Sequence, residues 1–210
     1  MLITRILRTN TRFISPSTRA ITSLSPRFQN PIQSKTKAAM STLTPPVPIV
    51  LIGIHTEIGA PVAEGLRPEW DVIRFIQTFT AAKSDLPSLL HGEAPPSPPT
   101  NTVGSHSYSR PARAVLFGRG FTQAQAEELF NLYKNETPVP AEEGGVLWAA
   151  GAEDKRPKDL EGMVEPPRGI EGVMVKTFKG LLEDWKERVE GGRDIKEKGK
   201  EGKEGELVLY

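Results

Sequence analysis

The chain has 210 residues, 25% charged and 37% hydrophobic, and a net charge of +1 that gives no general pull toward nucleic acid. It contains no Cys, which excludes disulfides, thiol catalysis, iron–sulfur clusters and thiolate zinc sites. Gly and Pro number 19 each, above the roughly 12% they usually contribute together, so one domain with sizeable linkers and tails is expected.

The even charge hides an asymmetry. Residues 1–50 hold Arg5, Arg8, Arg12, Arg19, Arg27, Lys35 and Lys37 and no acid, leaving 20 bases against 26 acids beyond them. At 100° per residue Arg5, Arg8 and Arg12 share one helical face, opposite Leu2, Ile3, Ile6, Leu7 and Phe13. An acid-free, Arg- and Ser-rich amphipathic start is the composition of a mitochondrial presequence; a secretory signal would need an apolar stretch after the first charges. Residues 1–46 are therefore expected to be presequence and Pro-rich linker, with delivery to the matrix. Met40 offers a second start and a shorter cytosolic form. No run approaches 18 consecutive apolar residues, so no transmembrane segment is expected.

Beyond the linker, strand and helix patterns alternate. Pro48 to Gly53 is a continuous apolar, β-branched run, the signature of a parallel strand covered on both faces. A helix should follow to Leu66, stopped by Pro68. Trp70 to Ile76 is the second strand. Ser84 is expected to cap a short helix that Gly92 ends. Residues 94–111 form a Pro-rich internal loop that cannot be regular structure and should be cut early by proteases. Arg113 to Gly118 is the third strand. Thr122 then caps a helix, with Gln125 completing a capping box. Val146 to Ala150 is the fourth strand. The polar segment 153–168 leads to a long helix from Ile170 to Val189. Val173, Val175, Phe178, Leu181, Leu182, Trp185 and Val189 recur at core-facing spacing on it. Residues 191–210 are a charged low-complexity tail. Its stretch 191–206 is expected to be disordered, and Leu207 to Tyr210 is apolar enough to join a sheet edge.

One turn carries a motif. Gly53-Ile54-His55-Thr56-Glu57-Ile58-Gly59 follows the first strand, with its first and last glycines six apart. It resembles the glycine turn of NAD(P)-binding Rossmann domains of the short-chain dehydrogenase/reductase type. The resemblance implies a diphosphate held by backbone N–H groups at a helix N-terminus, and NAD or NADP as cofactor. The likeness spans roughly residues 48–150 and departs from the family in five ways. Thr56 or Glu57 stands at the middle glycine, Glu57 would face a diphosphate, and Pro61 removes a backbone donor. Ile76-Gln77-Thr78 ends the second strand without the ribose-binding acid, and the Tyr-x-x-x-Lys pair is missing. A second, vaguer resemblance is to small uncharacterised fungal α/β proteins. It rests on the same turn, on Trp70 to Gln77 and on Ala114 to Gly120, and it implies no activity.

Other chemistry is sparse. His55, His91 and His106 form no metal-ligand spacing, so no metal site is expected. Gly104-Ser105-His106-Ser107 lacks the Gly-x-Ser-x-Gly pattern of a nucleophile elbow. In open α/β sheets ligands bind beyond the carboxyl ends of the strands. That places Gly53, His55, Thr56, Gly59 and Arg119 as candidate cofactor-binding residues. Arg119, before a helix, suits an anion, and a His55 imidazole suits acid/base work. No catalytic residue emerges.

The expectation is a three-layer, doubly wound, mainly parallel sheet of four or five strands over residues 47–190, Rossmann- or flavodoxin-like, with disordered N- and C-terminal extensions. Two functions stay open: a non-catalytic, degenerate Rossmann-like binding protein, or a small NAD(P)-dependent oxidoreductase-like or nucleotide-binding protein. The partner would be a small anionic ligand or nucleotide and not a nucleic acid, and no protein partner can be named.

Overall fold

A computed structural model describes residues 43–140, 144–153, 169–191 and 206–210. The expected presequence over residues 1–42, most of the 153–168 segment and the charged stretch 192–205 lie outside the described residues.

Among the described residues five strands form one sheet: β1 (Val47–Ile52), β2 (Trp70–Ile76), β3 (Ala114–Phe117), β4 (Leu147–Ala150) and β5 (Leu207–Leu209). Their order is β2-β1-β3-β4-β5 and every pairing is parallel. This is the flavodoxin-like order, which puts the point where the strand order reverses between β1 and β3. The helices are α1 (Thr56–Leu66), α2 (Phe79–His91), α3 (Gln123–Tyr133) and α4 (Ile170–Gly191).

Alternate strand residues feed two cores. Ile49, Leu51, Ala114, Leu116, Leu147 and Ala149 pack under Val62 and Leu66 of α1 and Met174, Phe178, Leu182 and Trp185 of α4. Val50, Ile52, Val115, Phe117, Trp148 and Ala150 pack under Leu86 and Leu89 of α2 and Leu129 and Phe130 of α3. A strand buried on both faces has no polar side to alternate with, which is why the sequence shows continuous apolar runs. Trp185 is a core residue as expected, with its ring 6.5 Å from that of Trp70. Val173 is not: it is 57% exposed, and Met174 fills that turn of the stripe.

The helix after β2 starts five residues before Ser84. Thr78 is its cap, accepting from the Ala81 amide at 3.2 Å, and Pro87 lies inside the helix. Pro87 cannot donate to the Lys83 carbonyl one turn earlier. The Tyr133 hydroxyl of α3 donates to that carbonyl instead, at 2.9 Å. The freed acceptor is thus satisfied from a neighbouring helix, which no local pattern reveals. Thr122 and Gln125 form the expected capping box.

A bulge in β2 redirects a charge. Val72 stands opposite Ile49, but Arg74 stands opposite Val50, so Ile73 is an extra residue. Arg74 therefore shares Val50's face and meets Asp85 of α2, with Nη2 donating to Oδ2 at 2.8 Å. Both side chains are buried. The same Nη2 donates to the carbonyls of Ser97 and Pro98, at 3.2 Å each.

Loop 94–111 is irregular as expected, but it is anchored. The Ser105 and His106 amides donate to Val72 and Ile73 carbonyls at 2.8 and 3.2 Å, and Asn101 Nδ2 donates to the Phe75 carbonyl at 3.1 Å. Gly104 has φ +104, and a Cβ there would lie 2.6 Å from the Val72 carbonyl, so only glycine lets the loop approach this closely. With these contacts the loop is expected to resist proteases rather than be cut early, because Pro-rich composition marks irregular backbone and not loose attachment.

Candidate functional site

The structure gathers four of the five sequence-derived site residues at the start of α1, Gly53 and His55 in the β1–α1 turn and Thr56 and Gly59 in the first turn of the helix, and places the fifth in the β3–α3 turn. His55 is the N-cap of α1, in extended backbone, and its carbonyl accepts from the Ile58 and Gly59 amides. Its side chain does not cap. Nδ1 lies 3.1 Å from Glu57 Oε1 instead, and the Thr56 hydroxyl donates to Glu57 Oε2 at 3.4 Å. A backbone hydrogen bond at Glu57 itself holds this carboxyl below its ordinary value, with the neighbouring His55 and Thr56 acting in the same direction. A carboxylate in the first turn suits the positive end of a helix.

The two glycines of the motif have a packing reason. A Cβ on Gly59 would lie 2.8 Å from the Phe75 ring, and one on Gly53 would lie 3.2 Å from it. Phe75 is buried in the α1/α4 layer. The six-residue spacing therefore seats an aromatic ring from the adjacent strand against the turn.

Gln77, the residue after β2, ties the site together. Its Nε2 donates to the Ile54 carbonyl at 2.9 Å, and its Oε1 accepts from Asn101 Nδ2 at 3.1 Å. Asn101 came from a loop that sequence reasoning set aside, and nothing in its local pattern marked it.

Arg119 lies between Gly118 and Gly120, as expected, and the Ile54 side chain rests against Gly120. Arg119, Phe121, Gln123, Gly151, Ala152 and Glu153 surround a cavity of only about 10 Å³, room for about one water molecule. Tyr210 closes this end of the sheet. Its hydroxyl donates to the Phe117 carbonyl at 2.6 Å, its amide donates to the Ala150 carbonyl, and its carbonyl accepts from the Ala152 amide. Its ring stands edge-on to Phe178 at 5.6 Å. Burial raises the Tyr210 hydroxyl above its ordinary value, against the opposing pull of Arg119. A folded-state value above the unfolded one stabilises the fold below the unfolded value and is lost as pH rises. Stability is therefore expected to be insensitive to Tyr210 up to about pH 10 and to fall above it. Tyr210→Phe should remove Tyr210's share of that alkaline fall and leave the share of Tyr133, whose hydroxyl burial also raises, as read by denaturant midpoints across the pH series.

A larger cavity of about 640 Å³ lies at the opposite end of the strands, lined by Val47, Pro48, Arg110, Arg113 and Pro138 to Pro140. Its cations are engaged: Arg110 donates to the Thr44 and Pro46 carbonyls, and Arg113 donates to the Gly145 carbonyl and lies over the Trp185 ring. No group of metal-binding side chains occurs among the described residues, and no described helix is long and apolar enough to cross a membrane.

No protein-family model matches this chain, and no solved structure matches it. It is similar to a fungal protein. Kojic acid related protein 6 of Aspergillus oryzae is 29% identical to it over 104 residues. The match covers 49% of this chain and 61% of that protein. This agrees with the likeness to fungal proteins drawn from the turn and strands, and no finding supports membership of the short-chain dehydrogenase/reductases.

Proposed function

We propose that this chain is a non-catalytic binding protein on a degenerate Rossmann-like fold, acting in mitochondria. What supports the reading is Glu57. In a dinucleotide-binding turn the helix N-terminus is left open for a diphosphate. Here it carries its own carboxylate, paired with His55 and Thr56, so the turn is complete without an anion. His55 is engaged in that pairing, and among the described residues no further side chain is placed to relay a proton from it. The missing Tyr/Lys pair and the missing ribose acid point the same way.

A thermal-shift series with NAD, NADP, flavin mononucleotide and acyl-CoA at millimolar concentration tests this. Any of them bound to the native state would raise the melting temperature by mass action. The wild type is expected to show no shift. Glu57→Gly, which vacates the helix end, is expected to gain a measurable shift with the diphosphates. A wild-type shift with NAD or NADP, together with hydride transfer to any acceptor, would replace this reading by the oxidoreductase one. The mitochondrial part is tested by fusing residues 1–45 to a fluorescent protein. Organelle signal is expected, lost when Arg5, Arg8 and Arg12 become Glu; diffuse signal from the unaltered fusion would refute it.

A further inference from the structure

The last strand stands apart from the others in how it is connected. From β1 to β2 the chain moves one way along the sheet and crosses on the α1 face. From β2 to β3 and from β3 to β4 it moves the other way and crosses on the opposite face, through α2 and α3. These three connections share one hand. From β4 to β5 the chain continues in the direction of β3 to β4, yet α4 lies on the α1 face. The fourth connection therefore has the opposite hand. Parallel crossovers are right-handed in about 98% of cases, because strand twist and helix handedness cooperate only that way.

We propose that β5 is exchanged between two copies of this chain, each copy's residues 207–210 pairing with β4 of the other. Exchange removes the anomaly, because a strand supplied by a second chain makes no crossover at all. The reach is sufficient. Fifteen residues, 192–206, separate α4 from β5, and a chain of that length spans up to about 50 Å. Five bases and five acids balance over those residues, so two such segments do not repel. The slot is specific. Leu207, Val208 and Leu209 register with Trp148, Ala149 and Ala150, and Tyr210 is fixed by three hydrogen bonds around Phe117, Ala150 and Ala152. Such exchange is a low-cost route to a symmetric dimer. It also makes the strand-end site composite: the Tyr210 that closes it beside Arg119 comes from the second copy.

The register supplies a test, and the absence of native Cys makes it clean. Ala150 and Leu209 are partners across β4 and β5. Full-length Ala150→Cys and Leu209→Cys chains are unfolded together, refolded and oxidised. A disulfide-linked pair that forms in the mixture, and in neither variant alone, is the expected result. The double variant in one chain should likewise give a linked dimer. A double variant that bridges only within its own chain overturns the proposal, as does a mixture that yields no linked pair while its circular dichroism matches wild type. A second measurement does not depend on cysteines. The wild type is expected to sediment at twice the 23.0 kDa of one chain, and deletion of residues 206–210 to return it to one. A wild type that is monomeric at every concentration tested overturns the proposal independently.

Discussion

Asp85→Ala is expected to lower the unfolding free energy by about 3–5 kcal/mol, the usual cost of leaving one member of a buried pair uncompensated. Arg74 is 3% exposed and Asp85 fully buried. Removing the carboxylate strands a guanidinium whose Nε and Nη1 already lack partners among the described residues. The loop should loosen too, because the same Nη2 holds the Ser97 and Pro98 carbonyls. Urea denaturation measures the first effect, and the rate of chymotryptic cleavage after Tyr108 the second. Replacing both partners, Arg74→Met with Asp85→Leu, should restore most of the stability, since well-packed apolar pairs often match buried ion pairs. It should not restore protection of the loop. A loss below about 1 kcal/mol for Asp85→Ala would place the pair in solvent's reach.

Gly59→Val should destabilise by about 2–3 kcal/mol, in the range for forcing extra carbons into a packed core. The first added carbon already meets the Phe75 ring at 2.8 Å. Phe75→Leu in the same chain should recover part of the loss by shortening the obstructing side chain. Two-state chemical denaturation of the four-member cycle gives the coupling directly. A glycine kept open for a phosphate predicts a different pattern: unaltered stability, loss of nucleotide binding and no rescue by Phe75→Leu.

β1, β3 and β4 were legible because each is short, apolar throughout and followed at once by Gly; β2 carries Asp71 and Arg74, yet its aromatic and β-branched residues still marked it, and Trp70 to Ile76 matches it residue for residue. The capping box at Thr122 was legible for the same local reason. What escaped the sequence depended on distant partners. The start of α2 was misplaced because Pro87 looks like a helix opener until Tyr133 is known to serve its orphaned carbonyl. The Arg74–Asp85 pair was invisible because its facing depends on a bulge, and one extra residue reverses every side chain beyond it. In the candidate site, the glycine spacing was legible but its reason was not. Phe75 lies 16 residues from Gly59, and nothing at Gly59 distinguishes a ring from a phosphate. Glu57 was read as an obstacle to an anion, whereas the structure shows it satisfied within its own turn.

The two borders of the sheet differ in a way that bears on how the protein behaves when concentrated. On the β2 side, the Val72, Ile73 and Phe75 carbonyls are already taken by Ser105, His106 and Asn101. The loop that takes them carries Pro95, Pro96, Pro98 and Pro99, none of which has an N–H to offer a newcomer. A strand arriving there finds no ladder to extend. Fibrous growth by edge-to-edge pairing requires every molecule to present two receptive borders, one to accept and one to pass the pattern on. With the β2 border closed, only the β5 border remains receptive. A continuous ladder therefore ends after two sheets, whether or not β5 is exchanged between copies, and this protein is expected not to form the endless edge-to-edge ladders that an uncapped parallel sheet would build.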